Sequence, residues 1–224
     1  MNPDSTPDPR PDTLSPDDAR QLAAMHCEIL PDSLISRVGQ EYARAFYRHV
    51  GESDREFAFV HRDNGTIVSA CIVSLEPHTL QRRLLLHTPL VLHAPLAIRR
   101  LPVRAIAASL AASVTSGVRA LLASRGPSSR ASHPGADRDP GIQPEGPEVL
   151  LIFTLAEARG SGLGATTMAR CEAFLRARNI SRYFVKTLDD ESNRAIAFYR
   201  RRGFSQLGTV VKNGKPLGVW QKSL

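Results

Sequence analysis

The chain does not begin like a secreted protein. Residues 1–18, MNPDSTPDPRPDTLSPDD, alternate proline and aspartate and lack the apolar core of a signal segment. Residues 1–16 carry too little apolar surface to offset the entropy of ordering, and they read as a disordered tail. The folded part is then a single domain over 17–222. Cysteine is scarce: Cys27, Cys71 and Cys171 are far apart, odd in number and set in apolar runs. This excludes a disulfide scaffold and shows no metal-ligand spacing, so no metal is expected and the thiols read as reduced residues of a cytoplasmic protein. Acidic residues are missing altogether from Pro77 to Ala136. So are Phe, Tyr and Trp, and without stacking groups a nucleic-acid surface is disfavoured.

That stretch instead carries Arg82, Arg83, Arg99, Arg100, Arg104, Arg119, Arg125 and Arg130, and it concentrates the positive excess of a chain whose formal net charge is +7. A local field of one sign attracts anionic partners. Within it, residues 84–98 are apolar but broken by Pro89 and Pro95. Residues 103–124 are Ala-rich and read as a helix, and 125–147 read as a flexible Gly/Pro/Ser linker. Neither apolar part is a convincing membrane span.

Elsewhere the periodicities are regular. Ser15, Pro16, Asp17 and Asp18 predict a helix start, and the helix ends by Pro31. A second helix is predicted from Ser33 to about His49. Residues 56–61 and 66–75 predict a hairpin turning at Asp63-Asn64-Gly65. From Glu148 a strand (148–155), a helix (165–179), a strand (181–188) and a helix (192–202) alternate. A last hairpin is expected to turn at Asn213-Gly214. Strands mixed with helices, and hairpins in both halves, predict an α/β or α+β fold with a mixed sheet.

Between the strand at 148–155 and the helix after it lies ARGSGLGA, residues 158–165. The spacing G-x-G-x-G departs from the dinucleotide fingerprint, and the loop lacks the lysine of a nucleoside-triphosphate loop. The amides of Gly160, Ser161, Gly162, Leu163, Gly164 and Ala165 would open a helix, with Arg159 beside them. Such a concavity suits a diphosphate, since a Cβ would hold phosphate away from the amides.

Arg159-x-x-Gly162-x-Gly164 resembles the pyrophosphate motif of the GNAT superfamily of acetyl-CoA-dependent N-acetyltransferases. Asn193 followed by Tyr199, Gly203 and Phe204 resembles the family's second hallmark. The two motifs together cover about 148–222, and the opening helices and hairpin are compatible with the family's first half. The resemblance implies a mixed, mostly antiparallel sheet flanked by helices, here with a large basic helical insertion at 77–147. It implies acetyl-CoA as cosubstrate and direct transfer of its acetyl group to an amine. By position, Phe153, Thr154 and Leu155 would offer backbone amides to the acetyl carbonyl and pantetheine, and Asn193 would bond the pantetheine arm. Tyr199 would protonate the leaving thiolate, and Glu148 would act as general base, with Glu76, His78 and His87 as rivals.

The insertion has two functional readings beside that of an ordinary helical subdomain. It is either an arginine-lined lid for an anionic acceptor or a peripheral contact of 84–123 with anionic lipid. Residues 26–50 resemble, loosely, family members that act on bacterial surface sugars, which favours an amino sugar as the small-molecule acceptor. The competing function is a non-catalytic binding module of the same fold, working through the basic segment 77–136.

Overall fold

The structure is a computed structural model, and it describes residues 8–87, 142, 144–212 and 214–224. The expected Ala-rich helix, most of the apolar run and linker, and Asn213 lie outside these residues.

Helix α1 (Pro16–Ile29) starts where the sequence predicts. The Ser15 hydroxyl accepts from the Asp18 amide at 3.1 Å, and the Asp18 carboxylate accepts from the Ser15 amide at 2.8 Å. Two orphan amides are satisfied reciprocally, and Pro16 fills a position that needs no donor. The predicted second helix is two: α2 (Leu34–Val38) and α3 (Gln40–Glu52). The break is Gly39, whose φ of 127° lies outside the helical region and which alone among the residue types adopts it readily.

Residues 8–15, which the composition reads as tail, make contacts with the folded part. The Asp12 amide donates to the Ala58 carbonyl at 2.8 Å, and its carboxylate accepts from the Val60 amide at 2.8 Å. Arg170 donates to the same carboxylate at 3.0 Å and to the carbonyl of Arg10 at 3.0 Å. Residues 8–15 are therefore tied along the outer strand. A single aspartate mimicking a strand residue leaves no trace in hydrophobic periodicity.

Strands β1 (Glu56–Asp63) and β2 (Thr66–Ser74) form the predicted hairpin. Asp63 pairs with Thr66, leaving a two-residue turn with Asn64 and Gly65 at φ 48° and 80°. Both turn residues in the left-handed region match the right-handed twist of the strands. A helix α4 (Leu80–His87) follows, then β3 (Glu148–Thr154), a 3₁₀ turn (Ala156–Ala158), α5 (Leu163–Ala177), β4 (Arg182–Leu188), α6 (Arg194–Arg201), β5 (Ser205–Lys212) and β6 (Lys215–Ser223). Six strands make one sheet in the order β1-β2-β3-β4-β6-β5. Every neighbouring pair is antiparallel except β3–β4.

The sheet separates two cores. On one face, α1, α3 and α4 bury Leu22, Phe46, Tyr47 and Leu84 against Ala58, Val60, Ala70, Ile72 and Phe153. On the other, α5 and α6 bury Met168, Cys171, Phe174 and Tyr199 against Phe59, Cys71, Val149, Val185 and Trp220. Alternation along β2 and β3 assigns adjacent residues to opposite faces.

Two buried polar groups anchor the first face. Glu56, fully buried, accepts from Ser53 at 2.6 Å and Ser74 at 2.7 Å, lies 3.3 Å from His49 and is paired with Arg83 of α4. Burial alone would raise its carboxyl, but His49, Ser53, Ser74 and Arg83 outweigh this and hold it at about 2. His26 is also fully buried, with Nδ1 2.8 Å from the Tyr47 hydroxyl and Nε2 2.9 Å from Ser33 Oγ. Desolvation lowers its pKa to about 4.

Candidate active site

Strands β3 and β4 run parallel, yet they pair only at Glu148–Phe184 and Val149–Val185. Beyond that point no register joins them, so a wedge opens toward their C-terminal ends. Which backbone groups face the wedge follows from the pairing of β3 with β2. A bulge sits between Ile72 and Val73, and past it Leu151, Phe153 and Leu155 turn their groups toward β2. The Leu155 amide donates to the Val68 carbonyl at 2.9 Å. Ile152 and Thr154 therefore face the wedge. Of the expected amides of Phe153, Thr154 and Leu155, only that of Thr154 is open, and Ile152 joins it. The bulge shifts the parity by one residue, and nothing in residues 148–155 announces a bulge.

The glycine loop sits at the mouth of this wedge. Gly160 and Gly162 have φ of 82° and 85°, with open space where a Cβ would stand. Gly164 is different: it is helical, and its Cβ would lie 3.2 Å from Thr154 Oγ1. Two glycines thus supply left-handed backbone and the third supplies room. Gly162 caps α5 without a side chain to bond the first amides. The first intrahelical bond runs from Thr166 N–H to Gly162 O at 3.0 Å, so the N–H groups of Leu163, Gly164 and Ala165 have no helical partner. With no acidic side chain in the first turn, the helix end keeps its positive potential. Arg159 folds back over the loop, its Nε donating to the Thr154 carbonyl at 3.2 Å, and Ser161 closes the turn through a 2.6 Å bond to the Ala158 carbonyl. The arrangement can receive an anion of diphosphate size.

Asn193 is the N-cap of α6. Its Oδ1 accepts from the Ala195 amide at 3.1 Å, while Nδ2 donates to Thr187 Oγ1 at 2.8 Å and the Leu188 carbonyl at 2.7 Å. Both amide hydrogens are thus engaged in holding α6 against the end of β4, and one Oδ1 lone pair remains for a ligand. Tyr199, on the same helix, is 5 % exposed and packs between Phe198 and Phe204. Burial pushes its hydroxyl well above the ordinary tyrosine range, and the neighbouring Cys71 adds to this. Cys71 pairs with Ile152, which places Tyr199 at the level of the open part of β3.

Glu148 lies at the closed end of the wedge and is paired with Lys186 at 3.1 Å. Its neighbour Val149 belongs to the core beneath α5 and α6, so Glu148 projects to the opposite face, that of α1 and α3. The wedge therefore separates Glu148 from Tyr199. Six residues of strand, about 20 Å, part Glu148 from Thr154 at the loop. Of the rivals, Glu76 is bound to Arg83 and Arg55 at 3.4 Å each. Among the described residues no group of three or more His, Cys, Asp or Glu could hold a metal ion, and no helix is long and apolar enough to cross a membrane.

The fold is similar to that of solved structures of the GNAT acetyltransferase family. The profile of the acetyltransferase (GNAT) family matches residues 135–204, the part that carries β3, the glycine loop and α6. The chain superposes on a GNAT-family protein from Desulfovibrio desulfuricans with a TM-score of 0.55 at 12% identity, covering 96% of each chain. On a ribosomal-protein-alanine N-acetyltransferase from Brucella melitensis the TM-score is 0.53 at 15% identity, covering 95% of this chain and 98% of that one. On the PaiA N-acetyltransferase from Thermoplasma acidophilum, which holds coenzyme A, it is 0.52 at 9% identity, over 96% and 98%. At these identities the likeness is one of fold. No curated protein matches the sequence.

Proposed function

We propose that this protein is an acetyl-CoA-dependent N-acetyltransferase. One observation carries the reading: an uncapped helix end with three spare amides stands beside a strand whose Ile152 and Thr154 amides are open. The diphosphate of coenzyme A would take the amides of Leu163, Gly164 and Ala165, with Gly160, Ser161 and Gly162 shaping the turn and Arg159 adding charge. The pantetheine arm, which carries amides of its own, would bond the open edge of β3 as an added strand does. Asn193 fixes the helix that closes the other side and offers it one acceptor. The thioester then lies toward the closed end of the wedge.

Acid and base approach from opposite faces. Tyr199, kept protonated by its burial, donates to the leaving thiolate from the α5/α6 side. Glu148, paired with Lys186, accepts the amine's proton from the α1/α3 side, directly or through water. The amine attacks the acetyl carbon, the C–S bond breaks, and the open strand amides stabilise the oxyanion. The acceptor is a primary amine of a small molecule. An anionic amino sugar suits the arginines between Pro77 and Ala136, a segment without carboxylates of its own, of which Arg83 is already paired with Glu56 and Glu76. The three free cysteines accord with a reducing cytoplasm.

The test is release of free thiol from acetyl-CoA in a screen of amino sugars, nucleotide amino sugars, aminoglycosides, polyamines and protein N-termini. Coenzyme A should also raise the melting temperature. The absence of any shift at saturating coenzyme A would end this reading.

A further inference from the structure

Behind the glycine loop lies a group of three hydroxyls. Ser69 of β2 is fully buried, and its Oγ is 3.1 Å from the Phe153 carbonyl, 3.1 Å from Thr154 Oγ1 and 3.2 Å from Thr167 Oγ1. Thr167, on the first turns of α5 and 1% exposed, donates to the Leu163 carbonyl at 2.7 Å. One serine thus touches the open end of β3 and the start of the helix that follows the loop.

The protons can be counted. Carbonyls only accept, so the Ser69 proton belongs to Phe153 and the Thr167 proton to Leu163. The Thr154 proton, pointing inward, then fills the contact between Ser69 and Thr154, and the contact between Ser69 and Thr167, left without a proton, is one of packing. The Thr154 hydroxyl is held in one orientation, and this is the atom that a Cβ at position 164 would meet at 3.2 Å. The loop's third glycine and the buried serine therefore belong to one device. A hydroxyl buried in a strand as apolar as β2 adds little net stability, because its bonds replace bonds to water. Its value lies in what it holds in place.

We propose that Ser69 is a positioning residue for the donor site: acting through Thr154 and Thr167, it sets the distance between the open edge of β3 and the amides of Leu163 to Ala165. The proposal rests on the reading of that site as the seat of coenzyme A. Two sets of groups must contact one ligand at once; the open wedge and the permissive glycines leave their separation to the bonds that join strand to loop, of which Arg159 to the Thr154 carbonyl is the exposed one and the Ser69 cluster the buried one.

The test uses the full chain and coenzyme A as the probe. Isothermal titration should show binding weakened roughly three- to tenfold in Ser69→Ala and in Thr154→Val, the loss of one neutral hydrogen bond's worth of alignment, while Thr154→Ser stays within about twofold of wild type. Hydrogen exchange without ligand should be faster in Ser69→Ala at the amides of Thr166 and Thr167 and unchanged at Val219 in β6. Unchanged affinity in both hydroxyl deletions, or equal losses in Thr154→Ser and Thr154→Val, would overturn the proposal. If wild type itself does not bind coenzyme A, the donor-site reading fails, and unaltered exchange at Thr166 and Thr167 then overturns the role of Ser69 by itself.

Discussion

His26 makes the fold sensitive to mild acid. It is buried and neutral between Tyr47 and Ser33, with a pKa of about 4 against about 6.5 in an unfolded chain. Above pH 6.5 both states are unprotonated and the residue contributes no slope. As pH falls through 6.5, the unfolded chain gains a proton that the folded protein refuses until about pH 4. Unfolding is then favoured by about 1.4 kcal/mol per pH unit, or about 2 kcal/mol between pH 7 and pH 5 and about 3 at pH 4. Urea denaturation at fixed pH values from 7 to 5 measures this directly. The window stays above the range of Glu56, whose stabilisation is present above about pH 4.5 and is lost as pH falls toward 2. His26→Gln keeps hydrogen-bonding capacity but cannot titrate, so it should lower stability at pH 7 and flatten the profile between 7 and 5. A variant with the same slope as wild type would refute the reasoning, because the proton uptake would then belong to other groups.

Other expectations follow from the same geometry. Gly162→Val adds strain at a φ of 85° and covers the helix amides, so the coenzyme A-induced rise in melting temperature should vanish while the unliganded protein loses about 1–2 kcal/mol. Tyr199→Phe should lower kcat with little change in coenzyme A affinity, since only the proton donor is lost; unchanged turnover in a thiol-release assay would remove that role. Arg83→Met strips the cation from a buried carboxylate, and a loss of about 3–5 kcal/mol is expected in equilibrium unfolding. Glu148→Gln should lower kcat in the thiol-release assay and leave coenzyme A binding intact; unchanged turnover would remove its role as base.

The sequence exposed the parts of this protein that local chemistry dictates. The capping box at Ser15 and Asp18, the Asn64-Gly65 turn and the glycine loop are written in residue types that satisfy their own neighbours, so they are readable without the rest of the chain. Gly39 was equally legible as a glycine but not as a break, because the apolar stripe runs through it and only the backbone angle separates α2 from α3. The site split the same way. Arg159, Gly162, Gly164, Asn193 and Tyr199 form spaced motifs within one continuous stretch. Ser69 lies 85 residues before Thr154, and no pattern connects them.

What the tertiary structure alone decided is which groups are free. The bulge opposite Ile72 turns Ile152 rather than Phe153 toward the wedge, the β2 ladder consumes the Leu155 amide, and strand alternation sends Glu148 to the face opposite Tyr199. A residue's type fixes what bonds it can make. Whether they are already made depends on partners brought from elsewhere in the chain, and that is settled only when the sheet closes its register.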